Sequence, residues 1–281
     1  MKRVSQFAGG LAGAVLLATP VVAADLDQAY EDQALCAVSG FNAKLEGAGG
    51  FIDTEDSDGG RGHGALSLSM PLGCMFGLQL DGTAGVLDNE ETGGAAAHLF
   101  MRDPSSHLIG VYGEYSAVDS NDIGRFGAEG ELYLSSLTFS ALAGYEDSDQ
   151  TSSDFFGMGQ VAYYITDNFQ INGGVAHFLN VTAGTFGAEW QPSGHGLPIP
   201  MSLFVEGAVG DNDYATVYGG LRIYFGGDNK SLIRRHREDD PINYLNRLKS
   251  LIEEEEGGCP AGTVFVPGEG CQPATAMTEA Q

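Results

Sequence analysis

The chain has 281 residues, 38 of them acidic and 13 basic, for a formal charge of −25. That excess repels polyanions and argues against nucleic-acid binding or a generally adhesive basic face. Glycine is abundant, at 42 residues, about twice the usual share, yet it is spread through alternating segments and forms no low-complexity tract.

Residues 1–24, "MKRVSQFAGGLAGAVLLATPVVAA", combine a basic start (Lys2, Arg3), an apolar stretch and small residues at Val22, Ala23 and Ala24. This pattern predicts a cleaved secretory signal peptide, followed by a periplasmic N-terminal segment over 25–35. Export suits the four cysteines, because an oxidising compartment allows an even set to pair. Three pairings are open. Cys259 with Cys271 is the favoured local pair, since "CPAGTVFVPGEGC" places turns between them, and Cys36 with Cys74 is what remains. No CxxC or Cys/His spacing points to zinc, and no metal or cofactor is expected.

From residue 36 the sequence reads as strands in which apolar and polar residues alternate with period 2. In "FNAKLEG", Phe41, Ala43 and Leu45 oppose Asn42, Lys44 and Glu46. In "ALSLSM", Leu66, Leu68 and Met70 oppose Ser67 and Ser69; in "FGLQLDGTAGV", Phe76, Leu78, Leu80, Ala84 and Val86 oppose Gln79, Asp81 and Thr83. A weaker segment, "GGAAAHLFMR", covers 93–102. "LIGVYGEYSA" sets Ile109, Val111 and Tyr115 against Glu114 and Ser116, and "RFGAEGELYL" sets Phe126, Ala128, Leu132 and Leu134 against Arg125, Glu129, Glu131 and Tyr133. "LTFSALAGY", "GQVAYYI", "NFQINGGV", "TFGAEWQ" and "SLFVEGAV" follow the same rule, with Glu189 and Glu206 on the polar side. In "ATVYGGLRIYF", Ala215, Val217, Leu221, Ile223 and Phe225 oppose Thr216, Tyr218, Arg222 and Tyr224.

Twelve strands result, and their connections alternate in kind. Tight turns ("PLGC", "RDPSSH", "LSSL", "TDNF") and a longer "QPSGHGLPIP" form one set; longer or acidic links such as "DTEDSDGGRG", "LDNEETGG" and "EDSDQTSSD" form the other. An even strand count with both termini on the short-turn side is the layout of an outer-membrane barrel. A soluble sandwich would carry lysine on its polar face, but lysine is missing between residues 45 and 229. Closing the sheet satisfies the backbone in lipid, and Tyr145, Tyr163, Trp190 and Phe225 fit interfacial girdles.

The signal peptide, the hairpin repeat and turns such as "YYITDNFQI" resemble the small Gram-negative outer-membrane β-barrel proteins, porin-like or outer-membrane-protein-A-like, over residues 36–226. "KSLIRRHREDDP" is similar to a tail of uncharacterised alphaproteobacterial barrels. The resemblance implies an all-β, closed antiparallel barrel in the outer membrane with both termini in the periplasm, and contact with the barrel-assembly machinery.

After Phe225 there remain 281 − 225 = 56 residues. Residues 227–256 predict a basic hinge and an amphipathic periplasmic helix: Asp239 or Asp240 caps it, Pro241 lies in its first turn, and Ile242, Leu245, Leu248 and Ile252 share a face. Arg234, Arg235 and Arg237 read as a solvated linker or as contacts to phospholipid headgroups at the periplasmic rim. Residues 257–281 read as a stapled loop and disordered end. A periplasmic partner, if there is one, is expected at this tail.

Alternation places Lys44, Glu46, Asp81, Glu114, Arg125, Glu129, Glu131, Glu189, Glu206 and Arg222 in the lumen. Their acidic excess reads either as an ion-pair network filling a narrow barrel or as a water-filled passage favouring cations. The acidic loop residues Asp53, Glu55, Asp56 and Asp58 read as solvated, with divalent bridging to lipopolysaccharide as the sharper alternative. His98, His107 and His177 with Ser116, Ser135 or Ser140 are the residue types a lipid-modifying barrel enzyme would use. No GxSxG or HExxH accompanies them, so no catalytic residue is assigned. The expectation is a small porin-like channel for cations or small solutes with an acidic lumen; the alternatives are a non-conducting structural or surface-interaction barrel and, further off, a lipid-modifying enzyme.

Overall fold

The computed structural model describes residues 35–54, 58–88, 90–118, 121–148, 154–179, 181–192, 199–211, 213–226, 230–247, 263–266 and 270–273. The expected signal peptide lies outside them. The period-2 segments become twelve strands: β1 (Asn42–Asp53), β2 (Asp58–Leu72), β3 (Phe76–Leu87), β4 (Glu90–Asp103), β5 (His107–Val118), β6 (Asn121–Leu134), β7 (Leu137–Ser148), β8 (Asp154–Thr166), β9 (Phe169–Phe178), β10 (Val181–Trp190), β11 (Met201–Gly210) and β12 (Ala215–Phe225). Each pairs antiparallel with the next. The sheet closes where β1 meets β12, from Ala43 opposite Phe225 to Asp53 opposite Ala215.

Closure leaves no open edge, so every ladder group has a partner without water. The period of 2 then sorts the side chains. On β12, Thr216, Tyr218, Arg222 and Tyr224 are buried inside while Val217 and Phe225 are exposed outside. Phe51, Tyr145 and Phe126 are 72%, 71% and 68% exposed on the outer face. An apolar band of that extent has no counterpart on a water-soluble monomer and suits contact with hydrocarbon. Among the described residues no helix is long and apolar enough to cross a membrane.

Links are short on both rims, which differs from the expected pairing of short turns with long loops. The acidic segments are largely absorbed into the ladders: Asp58 to Gly62 pair with Asp53 to Gly49, and Glu90 to Gly94 with Leu87 to Thr83. Main-chain pairing does not require apolar side chains, so strands of 10 to 15 residues run past the roughly 9–11 that cross a bilayer. The longest link, 191–200, lies on the rim that carries the β2–β3, β4–β5, β6–β7 and β8–β9 turns, here called the short-turn rim. A Cys36–Cys74 disulfide ties the approach to β1 to the β2–β3 turn on that rim, where the Ala37 amide also donates to the Cys74 carbonyl at 2.7 Å.

The chain's course after β12 differs most from expectation. Gly226, at φ +91°, ends the strand; a Cβ there would lie 2.6 Å from Asn42 Oδ1 and 2.8 Å from the Phe41 carbonyl, so only glycine makes this bend without strain. The helix is α1 (Leu232–Glu238), not one starting at Asp239 or Asp240. Residues 240–244 lie in no helix or strand and 245–247 form a turn, while the rest of the expected helix, 248–256, lies outside the described residues. The physical reason for the non-helical course is that wall side chains take the carbonyls at 239, 241 and 246, while the Leu245 and Arg247 amides are met by local turn bonds to Asn243 Oδ1 and the Tyr244 carbonyl. A two-stranded hairpin, β13 (Thr263–Val266) with β14 (Gly270–Pro273), follows. Cys259, and with it the expected Cys259–Cys271 pair, lies outside the described residues.

Candidate functional site

Inside the barrel the side chains fall into three levels. At the short-turn mouth, Val38, Phe100, Leu108 and Tyr133 form a small apolar cluster. The middle is charged. Towards the opposite rim, Ile52, Leu87, Val118, Ile123, Phe156, Phe178 and Tyr214 form a second cluster, which also contains Tyr244 and Leu245 of the tail.

The tail enters at the mouth. The β8–β9 turn receives the helix start, with the Leu232 amide donating to Asn168 Oδ1 at 3.1 Å and the Ile233 amide to the Asp167 carbonyl at 3.0 Å, which satisfies donors that a helix N-terminus leaves free. Arg235, only 1% exposed, reaches Gln191 Oε1 at 3.1 Å. Arg237 donates to the Leu137 carbonyl at 2.8 Å. Arg235 and Arg237 are therefore part of the mouth and not a solvated linker; Arg234 keeps substantial exposure, 44%, where it pairs with Glu238 at 2.7 Å.

Acidic residues come next. Asp239 pairs with Lys230 and accepts from Ser39 Oγ at 2.7 Å; Asp240 pairs with Lys44. Burial pushes the Asp239 carboxyl above its ordinary range, against the pull of Lys230 and Ser39. For Glu238 burial acts in the same upward sense but is outweighed by Arg234 and Lys230, which hold its carboxyl low.

Beyond Asp240 the segment runs down the lumen. Gln79 Nε2 donates to the Pro241 carbonyl at 3.4 Å, and Asn243 Nδ2 to Ser67 Oγ at 3.3 Å. Tyr244 stacks on His98, centroids 6.1 Å apart, and meets Tyr112 edge-on at 5.7 Å. Leu245 packs by Gly94, where a Cβ would stand 3.2 Å from Leu245 Cδ2. Thr83 Oγ1 donates to Asn246 Oδ1 at 2.8 Å, Arg61 Nη2 to the Asn246 carbonyl at 2.9 Å, and Arg247 binds Glu206 at 2.5 Å and Gln160.

The ten residues that alternation turns inward are all placed inside, and each is engaged. Arg222 sits among Glu46 (2.7 Å), Glu206 (2.9 Å) and Glu189. Arg125 lies between Glu114 (3.0 Å) and Glu146 (2.9 Å). Asp81 and Glu129 face the two ring nitrogens of His98 at 3.0 and 2.8 Å. Lys44 holds Asp240. Glu131 accepts from Tyr133 at 2.7 Å and, among the described residues, is in no ion pair. It borders a cavity of about 60 Å³ between wall and tail, shared with Ser140, Gln160, His236, Arg237 and Asn243. That volume holds about four to six waters at ~10–15 Å³ each, and among the described residues Ser140 Oγ has no hydrogen-bond partner.

Sequence reading missed Arg61, Arg102, Glu146 and the tail residues. The first three fall in stretches that read as links or at the end of the weaker segment 93–102, and extending the period-2 count by up to four residues, as far as Arg61, turns them inward. His98, considered for nucleophilic chemistry, is sealed between two carboxylates. Ser116 donates to Glu114 at 2.8 Å. His107 pairs with Ser106 on one rim and His177 with Thr182 on the other, and Ser135 is a turn residue at φ 48°. Among the described residues no group of three or more His, Cys, Asp or Glu could hold a metal ion; Glu55 and Asp56 of the acidic loop lie outside them.

A closed twelve-stranded barrel with an apolar outside and a charged inside defines an outer-membrane β-barrel. No protein-family model matches the chain, and no curated protein matches it. Among solved structures it is similar to a KdgM porin in complex with disordered oligogalacturonate, at 11% identity and TM-score 0.50, covering 65% of this chain and 99% of that one. The translocator domain of autotransporter NalP from Neisseria meningitidis is similar at 12% identity and TM-score 0.46, covering 67% of this chain and 88% of that one. Outer membrane phospholipase A from Escherichia coli is similar at 10% identity and TM-score 0.42, covering 70% and 94%. At these identities the likeness is one of fold.

Proposed function

We propose that the chain is a porin-like outer-membrane barrel whose passage its own residues 230–247 close. The observation that carries this reading is the course of the tail from the mouth, at the Asp167 carbonyl, to Arg61, Thr83 and Glu206 beyond the charged middle. A hydrated solute has no straight path past it.

The wall itself favours cations. Glu46, Asp81, Glu114, Glu129, Glu131, Glu146, Glu189 and Glu206 stand against Lys44, Arg61, Arg102, Arg125 and Arg222, so with histidines neutral the wall is three charges negative. Among the tail's buried and half-buried groups, Lys230, Arg235, Arg237 and Arg247 against Glu238, Asp239 and Asp240 offset one of those charges. A lumen freed of the tail therefore selects for cations; a lumen that keeps it is a structural barrel. The outer apolar band then lies in lipid, with lipopolysaccharide and bridging divalent cations at the acidic rim.

Planar-bilayer recording on the full chain carrying a protease site inserted at 227–229 decides between these readings. No steady conductance before cleavage, and cation-selective conductance once the tail is cut and washed out, is the expected result. Silence after the tail has left supports the structural barrel and overturns the channel.

A further inference from the structure

Three wall side chains hold the tail by its main chain. Arg102 Nη2 donates to the Asp239 carbonyl at 3.1 Å, Gln79 Nε2 to the Pro241 carbonyl at 3.4 Å and Arg61 Nη2 to the Asn246 carbonyl at 2.9 Å. Main-chain carbonyls are the same in every peptide, so these donors grip a non-helical segment whatever its sequence. Arg102 and Arg61 are 3% and 6% exposed; Arg102 Nη1 is buried and, among the described residues, has no hydrogen-bond partner in the presence of the tail. A buried guanidinium with spare donors is costly to leave alone and favours a guest with carbonyl oxygens along its length.

Three other wall groups read side chains at fixed spacing. Lys44 takes the carboxylate of Asp240, Tyr112 takes the ring of Tyr244 edge-on, and Glu206 takes the guanidinium of Arg247. The pattern is an acidic residue, an aromatic one four positions later and a basic one seven positions later, on a segment that is not helical between 240 and 244 and turns at 245–247.

We infer that the lumen is a peptide-binding site, open from the short-turn mouth to a non-helical polypeptide segment supplied in trans with that acidic, aromatic and basic spacing, of which residues 239–247 are the resident example. This rests on the proposed plug, because it takes the tail as a guest of the wall and not as part of it. It goes further in assigning the wall a ligand class that another chain can supply.

The test uses the full chain with the protease site at 227–229, folded in detergent and cut, so that barrel and tail remain as a complex. Three labelled peptides are added: residues 230–247; a peptide keeping only Asp, Tyr and Arg at the positions of 240, 244 and 247 in an otherwise Ser/Ala sequence; and the same composition with those three permuted. The first two are expected to displace the tail and to block the conductance of tail-free barrel, the permuted one to bind at least about tenfold more weakly, as loss of one charge-assisted contact implies. Arg61→Gln is expected to weaken the first two by a similar factor, and because it touches only the guest's carbonyl at 246 the factor is the same for both. If the tail leaves and the barrel conducts, but neither peptide binds or blocks, the inference fails while the plug stands. If the cut tail never exchanges with excess peptide, the segment is a fixed part of the barrel and the inference also fails. If the full chain conducts before cleavage, the plug itself fails.

Discussion

The wall and the tail are held by different forces. The twelve strands between residues 42 and 225 are joined by antiparallel ladders that close on themselves, with one register shift near Thr166, so their order follows from the backbone and the period of 2. Residues 239–247 make no ladder; they are held by wall side chains, among them Arg61, Gln79, Thr83, Arg102 and Glu206. A barrel built this way keeps its wall when single contacts are lost, whereas its plug depends on a few named groups.

The largest expected effect breaks the wall from inside. Arg222→Met leaves Glu46, Glu189 and Glu206 facing one another without their shared cation, at a cost of about 3–5 kcal/mol. Loss of heat-modifiable gel migration at temperatures the parent survives is the expected readout; an unchanged transition contradicts the network. Next, Leu80→Arg challenges the outer face, where Leu80 is half-exposed. An arginine near mid-strand costs about 2–4 kcal/mol in a bilayer, so the variant is expected to fold less completely into lipid vesicles, and an equal yield would argue that this face does not meet hydrocarbon.

The tail predictions are smaller and leave the wall intact. Arg61→Gln removes bonds to Thr216 Oγ1 and the Asn246 carbonyl, worth about 1.5–3 kcal/mol for a charged donor. Amide exchange along 240–247 is expected to rise while the strands stay protected. Thr83→Val, which deletes the bond to Asn246 Oδ1, is worth about 1 kcal/mol, and in a double-mutant cycle with Asn246→Ala the two losses are expected not to add.

This division also explains what could be read in advance. The twelve strands and their two faces were legible because each strand carries its own alternation: Leu78 and Leu80 outside, Gln79 and Asp81 inside, with no knowledge of the partner needed. The lumen residues were legible for the same reason, but their pairing was not, since which carboxylates meet Arg222 depends on barrel diameter and register. The course of residues 240–247 is not legible, because Ile242 and Leu245 sit at helical spacing and nothing in the local sequence shows that 240–244 stay outside a helix. What sets its course is external: Gly226 turns the chain back, and donors on distant strands outcompete local helical bonding. Tyr244 and Arg247 carry no mark in the sequence that they belong beside His98 and Glu206.

The central claim is that the tail lies within the wall, and the contact between Thr83 and Asn246, 163 residues apart in sequence and 2.8 Å apart in space, tests it most directly. Cysteines placed at both positions and bridged with a short thiol-specific cross-linker in the lipid-embedded protein should join the two segments, so that a cut at 227–229 no longer frees the tail. Recovery of a free tail, with both introduced thiols still open to a small aqueous label, would contradict the account.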